Sequence, residues 1–218
     1  MLACSSTLFG LMAFTAKLAS ADLGGGQVAM VRFVITILPV LVYPPFRRAA
    51  LTFERFDLLF YRGFFGGVAV LFYFLAIQHT TVGTATLLNY TSPIWAGLFA
   101  TLFIGEPIRP RAILPLAIAF CGVVLVVRSH AGPNEFGVGR WELVALFSAM
   151  LSGAAVTAIR FARRTEGSWS IFASFALFGL LVTAPVGIWQ WRWPSLRGWF
   201  WLVLVGVLSI GAQLLMTH

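Results

Sequence analysis

Charge is scarce in this sequence, and acidic charge most of all: Asp and Glu number 7 in 218 residues, and charged residues together make up 10%. A water-exposed surface cannot be built from so few, which excludes an ordinary soluble domain of this length. Cysteine is nearly absent as well. Cys4 and Cys121 both fall inside apolar runs with no CxxC spacing, which argues against a disulfide framework or a metal site. The 3 histidines lie in loops or at the terminus, and no HExxH or GxSxG element occurs, so the chemistry of an intramembrane enzyme has no visible carrier. A GxxxxGK[ST] phosphate loop is missing too, which speaks against ATP hydrolysis by this chain. No cofactor is implied. The first apolar run has no basic segment before it, and Lys17 falls at its far end, so it reads as a retained helix rather than a secretory signal.

What the chain does have is hydrophobicity: 60% apolar residues and a mean hydropathy of +0.92. A helix rising about 1.5 Å per residue needs roughly 20 apolar residues to cross about 30 Å of hydrocarbon. Eight runs reach or approach that length: Leu2–Ala19, Val28–Tyr43, Leu58–Ile77, Val82–Ile104, Ala112–Val127, Trp141–Ile159, Trp169–Trp189 and Trp199–Met216. Between them lie loop segments such as Asp22–Gly26, Pro44–Arg48, Gly105–Pro107 and Gly132–Glu135, rich in Gly, Pro and charge. The predicted fold class is all-α, a polytopic membrane helix bundle with no soluble appendage.

The net charge of +8 is spread through short loops rather than along one face, which argues for topology over nucleic-acid binding. With a cytoplasmic N-terminus, the inner loops and adjoining helix ends hold Arg47, Arg48, Arg55, Arg62, Arg109, Arg111, Arg160, Arg163 and Arg164. The outer ones hold only Arg128, Arg140, Arg192 and Arg197, in keeping with the positive-inside rule. The expected location is the cell membrane, inner or plasma. Of the tryptophans, all but Trp95 fall near proposed span ends, where their rings suit the headgroup layer. Trp95 sits mid-run.

An internal repeat is visible at low identity. Gly10 precedes Lys17 in the first run as Gly153 precedes Arg160 in the sixth, and Gly67-Val68 before Gln78-His79 parallels Gly206-Val207 before Thr217-His218, at offsets of 143 and 139 residues. A five-helix repeat has an odd number of crossings, so its second copy enters from the opposite side, an arrangement typical of secondary transporters. The expected units are 1–130 with five helices and 138–218 with three. Eight helices of an expected ten are then present, and the other two either follow His218 in a longer chain or are missing from a truncated second repeat.

The stretch Arg62-Gly63, Tyr73-Phe74-Leu75-Ala76-Ile77, Thr84-Ala85-Thr86-Leu87-Leu88, Ser92-Pro93-Ile94-Trp95, Gly105-Glu106-Pro107 and Gly122-Val123 resembles the drug/metabolite transporter superfamily, specifically its EamA-type ten-helix members. Phe9-Gly10 to Lys17 and Arg32-Phe33 look like that family's first two helices. The resemblance implies inverted five-helix repeats enclosing a central cavity. It also implies transport of a small polar metabolite such as an amino acid, an amine or a nucleoside.

Polar side chains within apolar runs are costly when they face lipid, so Tyr73, Asn89, Tyr90, Thr91, Ser92 and Trp95 are expected to face inward. They serve either a substrate surface or interhelical hydrogen bonding. The candidate substrate-binding residues are Trp95, Asn89, Tyr90, Tyr73, Arg32 and Ser92. Pro93, which removes a backbone donor, and Gly10 are the candidate gating positions. Arg32 and Lys17 are read near outer helix ends, where they either attract an anionic substrate or snorkel to headgroups. Gln78 and Gln213 are candidate cavity amides, His79 a solvated loop residue, and Glu106 an ion-pairing group beside Arg109 and Arg111. The small residues Gly63 and Gly67 are assigned to helix packing, and such faces also leave room for a homodimer. The leading reading is therefore a non-enzymatic secondary transporter working by alternating access on a small-molecule substrate, in a lipid bilayer and without nucleic acid. A non-transporting membrane scaffold or inactive transporter remnant is its alternative.

Overall fold

A computed structural model of the protein describes residues 2–42, 44, 47–48, 54–105, 110–129 and 139–217. Glu106, Arg109 and the loop 132–135 lie outside the described residues. Among the described residues there are helices and no strands, as expected where hydrocarbon leaves backbone groups no partner but their own chain. In order these are α1 (Leu2–Ala19), α2 (Gly25–Val42), α3 (Phe56–His79), α4 (Val82–Asn89), α5 (Ser92–Phe99), a π-helical turn (Ala100–Ile104), α6 (Pro110–Ser129), α7 (Arg140–Ala162), α8 (Ser168–Trp189) and α9 (Leu196–Thr217).

Five of them, α2, α3, α7, α8 and α9, are long and apolar enough to cross a membrane in one piece, while α1 and α6 hold shorter apolar stretches. The protein is a polytopic helical membrane bundle. The fourth apolar run departs from the expected single helix. Pro93 has no N–H to give the carbonyl of Asn89, so the chain turns at Tyr90-Thr91 and restarts, with Pro93 in the first turn of α5 where a donor is not needed. The π-helical turn then ends on Gly105, whose φ of 70° suits glycine in a left-handed cap.

The central element is α3. It packs along both α7 and α8, while α1 lies along α9, α2 along α8 and α9, and α4 and α5 against α7. Glycines permit the closest approaches: a Cβ on Gly67 would lie 2.7 Å from the Cα of Gly179 on α8, and one on Gly63 would lie 2.6 Å from the Ser174 carbonyl oxygen. Close packing of this kind drives helix association where lipid removes the hydrophobic contrast. In α6, by contrast, Ile113, Leu114, Ile118 and Leu125 are exposed and only Val123 is buried among its described side chains, so α6 borders the bundle.

At the end of the bundle carrying Lys17, helix termini are closed by side chains. The Lys17 ammonium donates to the carbonyls of Ile77, Gln78 and Thr80 at 2.7, 3.3 and 2.7 Å, capping the C-terminus of α3. It is thus occupied by backbone rather than by headgroups or substrate. Gln78 and Gln190 accept from the N–H groups of Gly25 and Gly26 at 2.7 and 3.0 Å, closing the N-terminus of α2. The Gln78 carbonyl oxygen is therefore engaged at a helix end. Gln27 and the backbone of Arg192 exchange hydrogen bonds in both directions, at 2.7 and 3.1 Å. His79 lies stacked on Trp141, with ring centroids 3.8 Å apart, joining the end of α3 to the start of α7. At the opposite end, buried Glu166 accepts from the N–H groups of Glu54 and Arg55 just before α3.

Candidate functional site

Inside the bundle lies a cavity of about 430 Å3, walled by every helix except α6. It falls in the size range of small-molecule sites. Of the residues singled out by sequence, Arg32, Tyr73, Asn89, Tyr90, Ser92 and Pro93 line it, and so does Gln213. Trp95 and Gly10 do not. Trp95 sits against α7, where a Cβ on Gly153 would come 2.6 Å from its own, so its place is in the α5–α7 contact. Gly10 meets open space, with nothing within 4 Å of an added Cβ.

The polar groups on α3, α4 and α7 are tied to one another. The Tyr73 hydroxyl lies 2.9 Å from that of Thr86. Asn89 donates from its amide nitrogen to Ser148 Oγ at 3.2 Å, and Ser148 in turn donates to the Ala69 carbonyl at 2.7 Å. Asn89 and Tyr73 thus serve as interhelical ties and as cavity wall together. Tyr90, at the break between α4 and α5, stays 57% exposed and presents its surface to the cavity.

Two arginines set the electrostatics of the site. Arg32 is only 2% exposed, about two turns into α2, so it neither snorkels nor lies at a helix end. It donates from Nε to Ser209 Oγ of α9 at 2.6 Å, and its Cζ lies 5.3, 5.6 and 5.9 Å from the ring centroids of Phe33, Phe74 and Phe175. Arg62 is 4% exposed and equally internal to α3, not part of a loop or a span end. Its Cζ stands 4.0 Å from the Phe175 centroid, and its buried Nε has no hydrogen-bond partner. Gly66, one turn along α3, leaves room for this guanidinium, since a Cβ there would collide with Nη1 of Arg62. Among the described residues no carboxylate pairs with either arginine. A desolvated aromatic face contributes roughly 2 kcal/mol, against several kcal/mol for burying an unpaired ion, so the one ring beside Arg62 does not offset its burial.

Sequence reasoning missed Arg62, Phe175, Thr86, Ser6 and Ser152 as wall residues. For Arg62 the signal was present, since it lies inside the proposed third span. A phenylalanine in α8 carries no comparable mark. A second cavity at the Lys17 end is lined by Asp22, Gln78, Trp189, Gln190 and Arg192, the cap residues already described among them. No group of His, Cys, Asp and Glu among the described residues could hold a metal ion.

Comparison with known proteins gives the cavity a family context. The sequence model of the EamA-like transporter family matches residues 1–128. The chain is 31% identical over 218 residues to the pseudopaline exporter CntI of Pseudomonas aeruginosa, covering 98% of this chain and 75% of that protein. It is 24% identical over 229 residues to a transporter of Helicobacter pylori, covering 100% of this chain and 76% of that one. A solved crystal structure superposes with a TM-score of 0.61 at 21% identity, over 95% of this chain and 76% of its own, which shows the shared fold. With more than half its length matched by the family and its helices set around an internal cavity, the chain belongs to the EamA-like transporter family, within the drug/metabolite transporter superfamily, and is an integral membrane transporter.

Proposed function

We propose that this transporter moves a small polar metabolite by alternating access, with the cavity walled by α1 to α5 and α7 to α9 as its substrate site. The observation that carries the reading is the cavity itself: a space of about 430 Å3 inside the bundle whose mainly apolar wall is interrupted by Arg32, Arg62, Tyr73, Asn89 and Ser92. Arg32, Tyr73, Asn89, Tyr90 and Ser92 contact substrate in this reading, and Trp95 fixes α5 on α7. The break at Tyr90-Thr91 with Pro93 gives the fourth span a point at which it bends, and open space around Gly10 leaves α1 room to move.

The packing of α1 on α9 and of α3 on α7 supports an inverted repeat, because each pair joins the first helix of one unit to the third of the other. The units are 1–130 and 138–218, with the N-terminus cytoplasmic in the cell membrane. Rocking of one unit against the other would open the cavity to either side in turn.

The test is flux. Proteoliposomes loaded with a mixture of amino acids, amines, nucleosides and organic acids are followed by mass spectrometry against protein-free vesicles. Loss of one solute class, saturable and reduced in Asn89→Ala, is the expected result. Identical retention in both vesicle sets means a scaffold rather than a carrier.

A further inference from the structure

Arg32 and Arg62 come from different helices, α2 and α3, yet both guanidinium groups meet at the ring of Phe175. Both line the cavity and both are nearly excluded from solvent. Arg32 has one side-chain acceptor, Ser209, while the Arg62 Nε has none, and no acid among the described residues neutralises either. Two like charges held together in a medium of low dielectric repel each other as well as lacking solvation. A group carrying negative charge on two or more oxygens relieves all three deficits at once. It accepts from the planar forks of the guanidinium groups, neutralises their repulsion, and supplies an acceptor to the Arg62 Nε, which has none. A cationic amine deepens every one of them, and a neutral amide offers acceptors but no charge.

Resting on the reading of this cavity as the transport site, we propose that the substrate is an organic oxyanion, whose carboxylate or phosphate oxygens are bound by Arg32 and Arg62 across Phe175. Phe9, Met12, Val70 and Val156 supply the apolar wall for the rest of the molecule, and the Tyr73 and Tyr90 hydroxyls stand ready for a second polar group. The geometry thereby removes amines from the substrate classes considered.

Binding can be measured apart from transport. The full chain in nanodiscs is heated in the presence of a panel of mono-, di- and tricarboxylates and phosphate monoesters, and separately with amides and amines of matched length. At least one anion is expected to raise the unfolding temperature saturably, while matched amides and amines do not, and the carboxylate and phosphate arms tell which oxyanion it is. In Arg62→Gln the affinity for that anion falls by about tenfold or more, as for loss of a charged hydrogen bond. Arg62→Lys keeps the charge without the fork, so it loses less, and it provides a folded comparison if the glutamine variant is unstable. The proposal fails if no anion stabilises the protein, if amides or amines do so equally, or if neither Arg62 variant weakens anion binding. Anion binding without flux would sink the transport reading alone. Flux of a neutral or cationic solute without anion binding would sink this proposal and leave transport standing.

Discussion

The Lys17 end of the bundle and its interior treat polar groups in opposite ways. At the end, Lys17 has three carbonyl partners, Gln78 and Gln190 close α2, and Gln27 is matched donor for acceptor with the Arg192 backbone. In the interior, Arg62 carries a buried Nε with no partner, and among the described residues no acid balances its charge. Water was available to solvate the end, and the chain nevertheless spends side chains there. In the interior it leaves a cation facing the cavity. A structural role explains the first pattern and is a poor explanation of the second, because a charge kept only for stability would be paired. The proposed anionic substrate accounts for this contrast.

The largest expected effect comes from removing that interior charge. Replacing a buried ion by an apolar group of similar length relieves its desolvation, so Arg62→Met is expected to stabilise the protein by about 2–3 kcal/mol. It should abolish flux of an anionic solute at the same time. Thermal unfolding in nanodiscs read beside proteoliposome flux checks both. A destabilised Arg62→Met would place Arg62 with the structural groups and erase the contrast.

At the end of the bundle the sign reverses. Gln27→Leu leaves the Arg192 N–H and carbonyl without the partners they now have, so a loss of about 2 kcal/mol is expected, with affinity for solute unchanged. Lys17→Met uncaps α3 but leaves carbonyls near the membrane surface that water can reach, and about 1 kcal/mol is expected for it. Both are read by the same unfolding measurement. A change in anion affinity in either variant, without loss of folded protein, would tie the caps to the cavity.

Much of the fold was legible in hydrophobicity alone. The run Leu2–Ala19 coincides with α1, and Trp169–Trp189 falls within α8, because length and apolarity are what a bilayer demands. The break in the fourth run was signalled by Pro93, but the turn at Tyr90-Thr91 and the π-helical turn after Phe99 depend on backbone partners that composition does not encode. Inward placement of Tyr73, Asn89 and Ser92 was legible from the cost of polar groups in lipid. Trp95 was not, since an indole suits a helix contact as well as a cavity, and the contact with Gly153 decided it. Arg32 and Arg62 were read as charges near span ends. Their burial arises from Phe33, Phe74 and Phe175, three residues that in one dimension look like any others in an apolar run.

The smallest effect, expected at Gly10, carries the same comparison from polar groups to packing. Gly153 and Gly10 hold like positions before Arg160 and Lys17, yet Gly153 is covered by α5, whose Ala96 nitrogen would lie 2.8 Å from an added Cβ, while Gly10 meets nothing within 4 Å. A methyl group at Gly153 must push α5 off α7, and a cost of about 1–3 kcal/mol follows from overpacking. At Gly10 the methyl enters open space, and only the helix preference of alanine over glycine remains, a gain of roughly 0.5–1 kcal/mol. Gly10→Ala is thus expected to unfold at slightly higher temperature and Gly153→Ala at lower. If Gly10→Ala gains stability but slows flux, the open space around it is used in motion. If it gains stability at unchanged flux, the gating point lies at Pro93, where the helix is already broken.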